Sequence, residues 1–143
     1  MTAPIVDLAQ GVTDKLNTPG AFTPAITAER TYQLFYELPA AKTAKIAVYG
    51  TSDQSTEKCD RSRWKHELIV DVAVQQKLET DQTSEKDACV ALADGICEYI
   101  KANRPNGPWK LMEATVNPLL QNERLQQAKL FTSVARFTFI QHR

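Results

Sequence analysis

Residues 63–78, RWKHELIVDVAVQQKL, alternate in polarity over most of their length. Trp64, His66, Leu68, Val70, Val72 and Val74 share one parity, while Lys65, Glu67, Asp71 and Gln75 share the other. Only Ile69 and Ala73 interrupt the polar side. Successive side chains of a strand point to opposite faces, so the pattern predicts a long strand with one buried and one polar face. Nothing on it suggests chemistry; it is a scaffold element.

The same reading extends along the chain. Ile5, Leu8, Ala9, Val12 and Leu16 recur at helical spacing and predict a helix over 4–16, with Pro4 in the first turn, where its missing N–H is harmless. Asn17, Thr18, Pro19 and Gly20 end it. A strand is expected over 27–38, stopped by Pro39, which cannot donate to a sheet ladder. A short strand follows over 45–50, with Ile46 and Val48 inward. Residues 51–63, TSDQSTEKCDRSR, hold no apolar residue except Cys59 and read as a long exposed loop. Ser84 with Asp87 forms a capping box that opens a second helix with Cys89, Leu92, Ala93, Ile96 and Ile100 along its stripe. Gly95 inside it suggests a tight packing contact, since glycine costs a helix about 1 kcal/mol relative to alanine. The run RPNGP at 104–108 stops that helix. Strands are expected over 109–116 and 130–141, with a turn or short helix over 117–127 between them. In the last strand Phe131, Phe137 and Phe139 share one face and Leu130, Val134 and Ile140 the other. A strand apolar on both faces needs cover on both, and a second subunit is one source of it. The order predicts a single α+β domain over residues 1–143. Its sheet is mostly antiparallel with four to five strands, and two main helices pack on one side.

Charge changes this picture only locally. The 17 Lys and Arg balance 17 Asp and Glu, so no basic excess points to general nucleic-acid or anionic-membrane binding. A zero balance also gives little protection against self-association. Residues 79–98 hold six acidic residues against one lysine, and residues 99–143 hold seven Lys or Arg against two acids. Oppositely charged surfaces that meet between identical subunits are one reading; a solvated helix face and tail are the plainer one. The start, MTAPIVDLAQ, lacks the basic and apolar regions of a signal peptide, no run reaches the roughly 20 apolar residues of a membrane span, and synthesis in a cytosol is expected.

The search for chemistry returns little. Cys89 and Cys97 stand eight apart on one helix, about 12 Å along its axis, too far for a disulfide; both are expected in the core, with Cys59 a free thiol. No Cys or His spacing suits zinc, no cofactor is called for, and no glycine-rich phosphate loop occurs. His66 is expected as a satisfied residue of the core or the sheet margin. Asp53, Glu57 and Asp60 lack the pattern of a calcium loop. Lys58, Arg61, Arg63 and Lys65 gather beside Trp64, as a protein contact, a weak DNA contact or a solvated cluster.

One resemblance adds to these readings. Arg30, Thr31 and Tyr32 open the first strand; the strand at 45–49 leads into the polar segment with Ser62 and Arg63; residues 69–77 read IVDVAVQQK; residues 125–134 read LQQAKLFTSV. In these places, and over roughly residues 6–140, the chain resembles the tail terminator or tail completion proteins of long-tailed bacteriophages. None of these stretches is a catalytic signature.

The resemblance implies a non-enzymatic structural protein of the virion. It would form a ring with copies of itself, commonly a hexamer, at the head-proximal end of the tail tube. That ring would stop tube growth and face the head-closure or connector protein, with assembly in the bacterial host cytoplasm. A head-closure or neck subunit is the nearest alternative, and a small cytosolic enzyme or ligand-binding domain a more distant one. On this reading Lys58, Arg61 and Arg63 would face the lumen, where genomic DNA passes, or a neighbouring ring. Ile69, Ala73, Glu85, Asp87, Val134 and Arg136 are the candidate subunit contacts.

Overall fold

The computed structural model describes residues 3–22, 26–32, 45–58, 61–77, 83–117 and 130–143. In chain order the elements are α1 (Pro4–Leu16), β1 (Ala28–Arg30), β2 (Lys45–Lys58), β3 (Trp64–Lys77), α2 (Thr83–Ala102), β4 (Lys110–Asn117) and β5 (Leu130–His142). The strands form one five-stranded sheet in the order β1-β2-β3-β5-β4. β1 runs parallel to β2, and the other pairs are antiparallel. The fold is therefore α+β, with a mixed sheet and two main helices packed against it.

Both helices join one apolar core. Leu8, Val12 and Leu16 of α1 and Ala93, Ile96 and Ile100 of α2 meet Ile46, Val48, Leu68, Val70, Val72, Val74, Ala135, Phe137 and Phe139 of the sheet. The helical stripes and the strand alternation fall where the sequence pattern puts them. Burying one such side chain contributes about 1.5–3 kcal/mol. Asn17 fastens α1 to the first strand, because its Nδ2 donates to the Ala28 carbonyl at 2.9 Å and its Oδ1 accepts from the Ala28 amide at 2.7 Å. Gly50 lets α1 cross β2 closely; a Cβ there would stand 2.8 Å from Ile5 Cγ1.

The opposite face differs from the expected polar surface. Ala47, Ala73 and Val134 are cross-strand partners in one row and form a second buried cluster. Asp71, Gln75 and Thr132 are buried as well. The alternation located the two faces of β3 correctly, yet both are covered in its second half. Ile140, expected to need cover from a neighbour, is 8% exposed within the single chain. Leu130's side chain lies outside the described residues.

Residues 51–63 are not one loop. β2 continues to Lys58 and pairs with β3 down to Trp64, so most of the segment is the outer arm of a long hairpin. Most of its described residues are exposed, as a loop's would be, which hid the strand. Two β-bulges, at Thr51 and Thr56, also break the alternation, because each adds a residue without a partner opposite. Fourteen residues of β2 thus face twelve of β3.

Smaller differences concern α2 and the termini of strands. The helix begins at Thr83, so Ser84 lies inside its first turn and not at its cap. A Cβ on Gly95 would meet nothing within 4 Å, so this glycine marks no tight contact. Of the expected strand over 27–38, Ala28–Arg30 forms β1, while Thr27, Thr31 and Tyr32 are not in a strand; residues 33–38 lie outside the described residues, as do Cys59 and most of the expected turn at 117–127.

Candidate assembly surfaces

The core gives out before the sheet does. On the helix-bearing face the last apolar row holds Leu68 and Phe139. Beyond it come Ser55, His66 and Gln141, then Lys58, Trp64 and Arg143. Trp64, expected inward from its parity, is 44% exposed because this row lies past the apolar cluster. The strands are stitched here by polar contacts. Arg143 donates to Asp53 at 2.7 Å, and His66 Nδ1 lies 3.2 Å from the other Asp53 oxygen. Trp64 and Arg143 exchange both backbone hydrogen bonds, at 2.7 and 3.0 Å.

Ser55 Oγ also approaches His66, at 3.3 Å, but at the same Nδ1 that faces Asp53. In Ser-His-Asp catalysis the carboxylate and the hydroxyl occupy opposite ring nitrogens. This trio therefore does not have the geometry of that relay; it fastens the end of the hairpin. The sequence search missed it, since Asp53 and His66 meet only when residues 51–58 are a strand with a bulge. Among the described residues no group of three His, Cys, Asp or Glu side chains stands close enough for a metal. No described helix is long and apolar enough to cross a membrane.

On the opposite face Tyr49, Asp71, Arg136 and Thr115 form one cross-strand row. Arg136 grips Asp71 with two hydrogen bonds, at 2.8 and 2.9 Å, and the Thr51 hydroxyl donates to the same carboxylate at 3.0 Å. The Asp71 side chain is 3% exposed and that of Arg136 is 51% exposed, so the pair is anchored inside and presented outside. The hydrogen bonds to Asp71, and then its charge, raise the Arg136 pKa and hold the guanidinium charged.

The candidate residues separate cleanly. Lys58, Arg61 and Arg63 are exposed at the hairpin tip. Asp87 is exposed on α2, Arg136 on the sheet, and Ile69 is half-buried. Ala73 and Val134 are buried within the chain itself and present no surface to a neighbour. The Glu85 side chain lies outside the described residues. Cys89 and Cys97 are buried and in no disulfide, and burial raises the Cys97 thiol pKa.

One groove was not anticipated. Lys101 in the last turn of α2, Arg104 just beyond it, and Leu111, Met112, Glu113 and Ala114 of β4 line a depression of about 270 Å³. Met112 is the unpaired residue of a bulge in β4 and is 53% exposed. Among the described residues, no strand pairs with β4 on the side away from β5.

No protein-family model matches the chain, and no curated protein matches it.

Proposed function

We propose that the chain is a structural ring subunit of the tail terminator type. Copies of it would close a ring on the head-proximal end of a phage tail tube, stop tube growth and present a surface to the head connector. The observation that carries the reading is the outer half of the β2–β3 hairpin. It is largely polar and exposed along β2, extends past the apolar core and is fastened by Arg143, Asp53 and His66. An arm of this kind needs an anchoring network when its task is to reach another molecule, and it adds nothing to the core. The sequence likeness at 45–49, 69–77 and 125–134 gives the arm its context.

The ring docks by capping: its subunits occupy the last layer of the tube, leaving no site for a further tube subunit. Lys58 and Arg61 at the hairpin tip face the lumen or the next ring. The test is the solution mass of the purified chain, alone and with tail tubes, together with electron micrographs of the mixture. Rings seated on one tube end support the reading. A chain that stays monomeric and never joins a tube end overturns it. Rings that bind DNA-filled heads and ignore tubes would move the protein to the head side of the neck.

A further inference from the structure

The turn that stops α2 is held at both ends. Pro105 is buried against α1, where a Cβ on Gly11 would stand 3.2 Å from the Pro105 Cβ. Trp109 packs against the main core. Between these anchors Asn106 and Gly107 are exposed and lie in neither a helix nor a strand. Gly107 has a φ of 147°, in the region that residues with a side chain avoid. The Trp109 ring also occupies the place where a Cβ on Gly107 would stand. Two separate constraints thus keep a glycine after Asn106.

We infer that Asn106–Gly107 is a site of spontaneous backbone modification, which the packing of Trp109 both maintains and registers. Asparagine is among the thermolabile residues, and glycine is the follower that least hinders the reaction, since no side chain shields its nitrogen. The Gly107 amide gives its proton to hydroxide, and its nitrogen attacks the Asn106 side-chain carbonyl carbon. A C–N bond forms, ammonia leaves, and the product is a cyclic imide. Water then opens the ring at either carbonyl. One opening restores the main chain and leaves an aspartate. The other routes the main chain through the former side chain and leaves an isoaspartate, with an additional backbone atom.

Asn17, Asn103 and Asn117 give the contrast. Asn17 has both polar atoms of its side chain in bonds to Ala28. Asn103 donates to the Tyr99 carbonyl at 3.1 Å and is followed by arginine. Asn117 precedes Pro118, whose nitrogen carries no proton and cannot attack. At Asn106 either product sets a carboxylate between the exposed Arg104 and Lys110, beside the groove. The isoaspartate does more. Its additional atom lies between two packed residues, Pro105 and Trp109, and pushes the Trp109 ring from its seat over Gly107.

The experiment keeps the full chain folded in warm, mildly alkaline buffer for days and maps its peptides by mass over time. Asn106 should gain the mass of an amide-to-acid exchange several-fold faster than Asn17, Asn103 or Asn117. An isoaspartate-specific methyltransferase counts the second product, and Asn106→Ser should bring that count to background. In Trp64→Phe the remaining tryptophan is Trp109, whose emission should shift in step with the isoaspartate count. Asn106→Asp in the same background adds the charge alone and should leave the emission in place. An Asn106 that reacts no faster than the three controls overturns the site, as does an isoaspartate count that survives Asn106→Ser. Isoaspartate that accumulates with no change in emission overturns the part given to Trp109.

Discussion

The two halves of β3 belong to one strand and share one alternation, yet they sit in different surroundings. From Val70 to Gln75 both faces are covered: valines face the helices, while Asp71, Ala73 and Gln75 are buried on the other side. From Trp64 to Glu67 every residue is exposed or half-buried, and the strand is held by its neighbours' backbones and by polar side chains. Alternation states which side chains share a face. It does not state how far along the strand that face is roofed, because the roof belongs to other segments.

The largest test of this contrast is Phe137→Ala against Trp64→Ala. Phe137 is wholly buried, and its loss should cost about 3–5 kcal/mol in urea unfolding. Trp64, 44% exposed, should cost much less. Equal losses would erase the distinction between the halves. The charge pairs sharpen it next. Asp71→Asn removes the buried charge and turns one of its two accepting oxygens into a donor facing other donors, and should cost about 1.5–3 kcal/mol, little altered by salt. Asp53→Asn in the outer half should cost about 1 kcal/mol or less and should fade as salt rises. Gly50→Ala marks the place where the roof begins, since the new methyl would press on Ile5. A loss of about 1–3 kcal/mol is expected, and Ile5→Ala in the same chain should recover part of it. The last effect has the opposite sign. Gly95→Ala meets open space within α2 and should stabilise by about 1 kcal/mol, read as a rise in the urea midpoint.

Proton linkage gives one more expectation. The Cys97 thiol holds its proton more tightly when folded, because burial disfavours the thiolate. Stability from this group is complete below the ordinary value of 9.0 and declines as pH rises through it. Cys97→Ala should flatten that decline.

Much of the architecture was legible from the residues. The bounds of α1, the inward row Leu68–Val74 and the stripe of α2 each follow from periodicity that packing respects. The outer arm of β2 was not legible, for two physical reasons. Its side chains are polar on both faces, so burial leaves no trace, and each bulge reverses the parity of the residues beyond it. The same reversal hid Asp53 from His66. Ala73 and Val134 were read as contacts for a neighbour because an apolar residue on a polar face lacks an evident partner in sequence; in space they are each other's partners. Arg136 kept its place at the surface, but only the fold reveals the carboxylate behind it.

The paired bulges also give the hairpin a shape. Thr51 bonds to Asp71, and Thr56 donates to the Lys65 carbonyl at 3.2 Å, so each surplus residue is pinned where it stands. Two extra residues add roughly 7 Å of contour to one arm. Joined side by side to a shorter partner, the longer strand must curl, as a bimetal strip does when one layer expands. The aim of the arm is thus written as a count of residues, and deleting both threonines would leave its composition almost unchanged while pointing it somewhere else.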